Sequence, residues 1–504
     1  MGHFLEQLLQ LSITFRNFVW GNGMIALLVL TGVILTIVTG TIQIRKLITA
    51  LKLVVLGARG KDHEEGDEGD ISPFAALMTA LAATVGNGNI AGVATAIATG
   101  GPGAPFWMWV SGFFGMATKY AEGFLGVKFR KVAEDGSMAG GPMYYIRYGL
   151  KNESFAKFLG GAFAVCGAFA ALFGTGNMAQ SNSMALAFQS EFGIPPLLSG
   201  AVLTILVGLV IIGGIKRIGA VAERLVPTMI IFYVSGALII IISRIGYVGD
   251  AFKIVIESAF TAQAVGGALI GTSVQRAISL GVSRGVLSNE SGLGSAAIAQ
   301  SASKSGDPAK NGLIAMTGTF IDTIVVNTMT TLTIVLTGVY LFTPAAGVRL
   351  IAQGGGLSPA ELSVLNPQVV EMARQVGYNL AGGGLSSTAL TAAAFNTVIP
   401  FGGWIIAISS FLFGYTTLIG WSFYGEQCLE YFAGVKIKKP YRLVYIGLLF
   451  IGANLQGRYL DIVWNVGDIA NAFMAIPNLV GLLFLAGLVA RITSQAFAED
   501  RALY

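Results

Sequence analysis

The chain has 504 residues, of which 54% are hydrophobic and only 11% charged, with a mean hydropathy of +0.71. Soluble domains carry roughly 25% charged residues, so this chain lacks the charge to clothe a water-facing surface, and the lipid bilayer is its solvent. The net charge of +5 is gathered at the ends of apolar segments, which is a topology signal and excludes a nucleic-acid surface.

Residues 1–20 have no basic region ahead of their apolar part and hold Glu6, so they read as an interfacial amphipathic helix and not as a cleaved leader. A spanning helix needs ~20 mostly apolar residues. That ruler gives eleven spans, near 22–44, 73–99, 104–127, 158–188, 197–214, 225–243, 254–275, 311–341, 402–425, 443–456 and 462–490. Residues 21–59 hold the first span and its loop, and 60–72 form a polar loop. Two five-helix units follow at 73–243 and 251–490, the second with insertions at 276–305 and 343–384, and 491–504 form a tail. Cys166 and Cys428 lie in apolar stretches and read as small packing residues, with no disulfide or metal framework.

Charge orients the chain. With the N-terminus outside, 24 Lys and Arg residues fall on the cytoplasmic side and six on the other, with Lys119 inside a span. The expected protein is therefore a multi-pass cell-membrane (inner-membrane) protein with its C-terminus cytoplasmic.

The second span, ALMTALAATVGNGNIAGVATAIATGG, is interrupted over 84–92 by Gly86-Asn87-Gly88-Asn89, poor helix formers between two good halves. An unwound stretch in hydrocarbon is tolerated where it lines a protein cavity. Its free carbonyls can ligate a cation, and the N–H groups opening the second half can hold a carboxylate. A dinucleotide fingerprint (Gly86-x-Gly88-x-x-Ala91) is excluded because no strand precedes it. A tight helix crossing would explain the glycines but not the buried amides. A second interruption is expected around Gly266-Gly267 in the seventh span. With the first span set aside, the interrupted helices are the first and sixth of ten, corresponding positions of two halves, which points to a transporter site between inverted repeats. The halves are not visibly similar in sequence, so the repeat rests on position alone.

Ionisable groups within spans are functional candidates. Lys119 and Glu122, at i and i+3, are expected to pair with each other. Asp322 and Asp468 have no local basic partner and are candidates for a proton or a second cation, against the plainer reading of a polar interhelical contact. The run 284–299 is too polar to span and reads as a cytoplasmic interfacial helix pair serving as an inner gate. No H-E-x-x-H, G-x-S-x-G or Walker A pattern is present, and the only two His are His3 and His63, so no catalysis and no cofactor are expected. A single pair of broken helices fits a gated binding site better than a channel filter.

Several stretches then resemble the sodium:alanine (alanine or glycine:cation) symporter family. They include ALAATVGNGNIAGVATAIATGGPGAPFWMW at 80–109, GSMAGGPMYYI at 136–146, GNMAQSNSMA at 176–185, RGVLSNESGLGSAAIA at 284–299 and YTTLIGWSFYGE at 415–426. The resemblance covers nearly the whole chain. It implies an all-α membrane protein with about 11 transmembrane helices, a five-plus-five inverted-repeat (leucine-transporter-like) core preceded by one extra helix. It also implies substrate contacts from Gly86, Asn87, Gly88, Gln180, Thr417 and Trp421, with Trp421 closing a pocket sized for a methyl side chain. A sodium ion would be held by the carbonyls of Ala82, Val85 and Phe413 and the hydroxyls of Thr416 and Thr417. Five oxygens without a carboxylate suit a monovalent cation. The plainer reading of Thr416 and Thr417 is a bond back to their own helix, and that of Gln180 an interhelical contact. Asn87 stands where many members are expected to carry Thr, which leaves the choice of amino acid open. The function so implied is uptake of a small neutral amino acid, alanine or glycine, coupled to Na⁺. The alternatives are a larger neutral substrate such as glutamine, and proton coupling.

Overall fold

The computed structural model describes residues 2–60, 68–174, 176–261, 270–342, 387–455 and 457–499. In chain order the helices are α1 (Gly2–Val19), α2 (Asn22–Val38), α3 (Ile42–Arg45), α4 (Leu47–Ala58), α5 (Pro73–Thr84), α6 (Val93–Gly100) and α7 (Ala104–Lys128). A short hairpin, β1 (Lys131–Val132) with β2 (Met138–Ala139), precedes α8 (Pro142–Gly149), α9 (Glu153–Phe173), α10 (Met178–Phe192), α11 (Pro196–Ile211) and α12 (Gly214–Ser243). Then come α13 (Val248–Phe260), α14 (Ile270–Asn289), α15 (Ser295–Ser301), α16 (Pro308–Thr319) and α17 (Asn327–Leu336). The last are α18 (Ser387–Asn396), α19 (Gly402–Ala433), α20 (Lys438–Ala453) and α21 (Arg458–Glu499). Among the described residues, six helices are each long and apolar enough to cross a bilayer, and a seventh if the bent pair α5–α6 counts as one span.

That bent pair is the second expected span. Ser72 caps α5, accepting from the Ala75 N–H at 3.0 Å, and Pro73 opens the helix where its missing N–H costs nothing. The helix ends at Thr84, Val85 turns extended (ψ 93°), and the chain resumes at 50° to its first half through a π turn at Gly88–Gly92. The bond lost at the break is replaced locally: the Gly86 N–H donates to Asn89 Oδ1 at 2.9 Å. The π turn's carbonyls are answered from outside, Asn89 by the Thr330 hydroxyl at 2.8 Å and Ile90 by Thr391 at 3.3 Å. A span interrupted in this way survives burial because freed groups find partners in the protein or line a cavity.

The second expected break, Gly266-Gly267, lies outside the described residues, as does the insertion at 343–384. Among the described residues the interruption falls at 290–294, between α14 and α15, where Glu290, Gly292 and Gly294 all take left-handed backbone (φ 55°, 94° and 81°). The pair α14–α15 runs parallel to α7 along its whole length. Gly281 packs on Ala104, Gly285 on Met108, Gly115 on Ser291 and Gly126 on Ala297, and Arg130 just past α7 donates to the carbonyls of Ser301 and Ser303. A 25-residue helix is about 37 Å long, so this pair crosses the full depth of the bundle. The run 276–305 is therefore not an interfacial insertion. It tolerates its polarity because residues 288–303 are buried in protein, where Asn289 bonds to Thr323, Ser291 to Thr319 of α16, and the Gly292 N–H to Glu122 of α7.

The two broken helices lie side by side in opposite directions. The start of α5 meets the end of α15 (Asp70 N–H to Ala302 O at 2.9 Å, Lys304 N–H to Ile71 O at 2.7 Å), and Gly100 at the end of α6 meets Leu280 of α14. At mid-depth the breaks touch: a methyl at Gly88 would lie 3.4 Å from the Ser288 Cα.

Three smaller expectations also change. Residues 1–20 do not lie apart as an interfacial helix: Leu5–Val38 forms one 34-residue apolar stretch, and α1 is tied to α21 by Arg16 to Asn465 (2.9 Å) and Trp20 to the Asp468 carbonyl (2.8 Å). The span read at 158–188 is divided at 174–177 into α9 and α10, with Gly174 packed Cα to backbone against Gly467. Lys119 and Glu122 do not bond to each other. Glu122 Oε1 instead accepts the N–H groups of Gly292 and Gly294 (3.0 Å each) and the Asn478 amide (2.8 Å), while Lys119 Nζ has no hydrogen-bond partner.

Candidate functional site

A cavity of about 420 Å³ lies between the two breaks and reaches toward the end of the molecule that carries Arg16 and Trp464. All six residues singled out as substrate contacts line it: Gly86, Asn87 and Gly88 from the first break, Gln180 from α10, and Thr417 and Trp421 from α19. Chain segments more than 300 residues apart are thus brought together. The approach is close, since a methyl at Gly86 would sit 2.8 Å from Thr417 Oγ1, and one at Gly176 would strike the Trp421 ring at 2.9 Å.

Three buried polar atoms on this wall have no partner: Asn87 Oδ1, Gln180 Nε2 and Ser410 Oγ. Buried polar atoms are ordinarily bonded, and an acceptor, a donor and a hydroxyl without partners among the described residues, on side chains that line one cavity, fit a polar ligand. Gln180 Nε2 suits a carboxylate, and Asn87 Oδ1 suits an ammonium.

The expected cation ligands gather at one contact, where the C-terminal end of α5 meets α19, with Gly420 packed on Ala83. Ala82 and Val85 bracket the end of α5, where carbonyls run out of intrahelical donors. The hydroxyls of Thr416 and Thr417 both donate to the Phe413 carbonyl, at 3.0 and 2.9 Å. Their oxygens keep lone pairs in that arrangement, so local bonding and cation ligation are compatible.

The two candidate acids part company. Asp468 lines the cavity, within the field of Arg284 and Arg16. Asp322 lies behind the breaks and is saturated. It accepts from Asn89 Nδ2 (2.7 Å), Ser288 Oγ (3.0 Å) and Thr323 Oγ1 (2.8 Å), while Asn89 also donates to Asn327 (2.9 Å). Asp322 thereby ties the first break to the second. Its place is that of a brace, with no free oxygen turned to the cavity.

Sequence reasoning placed Asn89 in the first break without a partner, and missed Ser288 and Glu290. Glu290 lines the cavity and accepts the Trp421 indole N–H at 2.9 Å and the Ser295 hydroxyl. A signal was present: Asn289-Glu290-Ser291-Gly292-Leu293-Gly294 repeats the pattern of small and amide residues seen at Gly86-Asn87-Gly88-Asn89. Arg276 and Arg284, counted from sequence with the cytoplasmic basic residues, lie in the opposite half, where Arg276 stands beside Asn22 and Thr99. The charge asymmetry remains large without them.

At the other end, where α5 begins, ion pairs join helix ends. Arg442 grips Glu426 with two bonds (2.5 and 2.7 Å), and Lys438 contacts Asp135 at 2.8 Å and Glu430 at 3.1 Å. Partial burial of Asp135 opposes its charge, but bonds from Lys438 and Ser137 outweigh this and hold its carboxyl down at about 2.

Comparison with known proteins agrees with this geometry. The chain is 48% identical over 488 residues to the sodium/alanine symporter AgcS of Methanococcus maripaludis, covering 97% of each. It is 43% identical to an uncharacterised transporter of Haemophilus influenzae, covering 95% of this chain and 94% of that one. Among solved structures it matches MhsT in complex with L-phenylalanine with a TM-score of 0.51 at 12% identity, over 85% of this chain and 99% of the other. The leucine-transporter-like fold is therefore that of the chain. The family model for the sodium:alanine symporter family matches residues 5–360 and 368–502. With its two facing broken helices and shared cavity, the chain belongs to the sodium:alanine symporter family.

Proposed function

We propose that the protein is a secondary active symporter that couples inward Na⁺ movement to uptake of a small neutral amino acid, alanine first, by alternating access. The observation that carries the reading is the cavity between the breaks, lined by Asn87 and Gln180, whose side chains hold an amide acceptor and an amide donor without partners among the described residues. In this reading Gln180 and the N–H groups opening the π turn receive the carboxylate, Asn87 Oδ1 receives the ammonium, and the Trp421 ring bounds the side chain. Na⁺ lies at the α5–α19 contact, held by the carbonyls of Ala82, Val85 and Phe413 and by the Thr416 and Thr417 oxygens. Because Thr417 touches Gly86, filling the cation site orders the unwound strand that receives the substrate, and the coupling is reciprocal. The N-terminus lies outside and the basic end in the cytoplasm of the cell membrane. The cavity reaches toward Arg16 and Trp464, hence outward.

The test is labelled-alanine uptake into proteoliposomes, competed with glycine and glutamine. Alanine should accumulate only with an inward sodium gradient, Thr417→Ala should abolish accumulation, and glutamine should compete poorly. Uptake unchanged by removing sodium would reject the coupling, and stronger competition by glutamine would reassign the substrate.

A further inference from the structure

Lys119 lies on the face of α7 that meets the second break, in line with Gly112, Gly115 and Glu122. It is 2% exposed, and its ammonium has no hydrogen-bond partner among the described residues. A buried charge without a partner is costly and is retained where it serves a charge nearby. Three buried carboxylates lie in its field: Glu122 on its own helix, Asp322, and Glu290 in the break. One cation thus faces three acids. Glu122 holds the N–H groups of Gly292 and Gly294 through Oε1 while its Oε2 has no hydrogen-bond partner among the described residues, and Asp322 accepts from Asn89, Ser288 and Thr323. Glu290 alone of the three lines the cavity.

The remaining groups around Glu290 come from four other helices. Tyr424, on the α19 face that carries Trp421, lies in its field. Arg284 precedes it on α14, and Asp468 of α21 and Arg16 of α1 share the cavity with it. Neither Tyr424 nor Trp421 can neutralise a carboxylate. Of the two acids on the cavity wall, Asp468 lies in the fields of Arg284 and Arg16, whereas Glu290 draws on Lys119, which it shares with Glu122 and Asp322.

We propose that Glu290 is a proton-binding site on the cavity wall, charge-matched by the buried Lys119 ammonium, and that a proton there competes with loading of the coupling cation. The inference rests on the symporter reading. The proton comes from cavity water and adds to Oε2, which then donates to the Ser295 hydroxyl instead of accepting from it. Oε1 keeps the Trp421 N–H, since an indole nitrogen only donates. Ionised Glu290 favours cations in the cavity, and neutral Glu290 does not. Lys119 favours the ionised form, so its loss moves the protonation midpoint to higher pH.

The experiment measures the half-saturating sodium concentration for alanine uptake in proteoliposomes, from mildly acid to mildly alkaline pH. In the wild type it should rise toward acid, approaching about tenfold per pH unit below the midpoint. Lys119→Gln should move the midpoint up by about one pH unit, Lys119→Arg should keep it, and Glu290→Gln should remove the pH dependence. A wild-type half-saturation independent of pH, a Lys119→Gln midpoint equal to wild type, or a pH dependence that survives in Glu290→Gln would each overturn the proposal. A second readout needs no transport. In detergent without substrate, the tryptophan emission lost in Trp421→Phe should titrate in the wild type, with its midpoint raised in Lys119→Gln, and a signal flat with pH would contradict the site. Absence of sodium-dependent uptake at every pH, with that titration present, would strike the symporter reading and leave the proton site standing.

Discussion

Gly86 and Asn89 have opposite duties in the first break. Gly86 keeps space for Thr417: a methyl there would lie 2.8 Å from Oγ1. Overpacking of this kind costs about 1–3 kcal/mol, which is about five- to 150-fold in an affinity. Gly86→Ala should therefore weaken sodium-dependent alanine binding by about that factor. The effect should be less than additive with Thr417→Ala, because the second change removes the atom that the first one strikes. Full additivity in that double-mutant cycle would show that the two residues do not meet. Asn89 answers the Gly86 N–H and donates to Asp322 and Asn327. Asn89→Ala leaves buried groups on both sides unpaired, at about 1–3 kcal/mol. Its unfolding midpoint in detergent should fall accordingly, and a value within about 0.5 kcal/mol of wild type would contradict the brace.

At the scale of elements, the second break depends on glycine for two separate reasons. Gly292 and Gly294 carry left-handed backbone, and methyl groups there would lie 2.7 Å from Leu28 and 2.4 Å from Pro142. Gly294→Ala should lower the yield of folded protein severely, whereas Gly306→Ala, with open space around it and ordinary backbone, should be tolerated. Size-exclusion profiles of the two variants in detergent check this, and equal profiles would contradict it. These elements also mark what could be read from sequence. The first break was legible because Gly and Asn interrupt a long apolar run, and the contacts of Gly86, Gln180, Thr417 and Trp421 followed from the family resemblance. The second break was not legible by hydropathy. Its polar groups bond to Glu122 and Thr319 on neighbouring helices, so a spanning segment carried the composition of a surface one. Lys119 misled for a similar reason: i and i+3 spacing predicts a pair, but Glu122 is claimed by a backbone turn 170 residues away.

Across the whole molecule, the cavity opens toward one end, and ion pairs hold the other together. The Asp135 carboxyl, at about 2, is lowered from its ordinary value near 3.8. A lowered carboxyl stabilises above its unfolded pKa and loses that contribution as pH falls through the folded one. The thermal midpoint should therefore drop between about pH 4 and pH 2, and Asp135→Asn should flatten that part of the profile. An unchanged profile in Asp135→Asn would place the acid sensitivity elsewhere. The central claim is that a cation gradient drives a small amino acid through the cavity between two broken helices. Its most direct test is labelled-alanine uptake into proteoliposomes, with an inward sodium gradient and with sodium equal on both sides. Accumulation above the external concentration with the gradient, and simple equilibration without it, is the predicted result. Equal uptake in both conditions would contradict it.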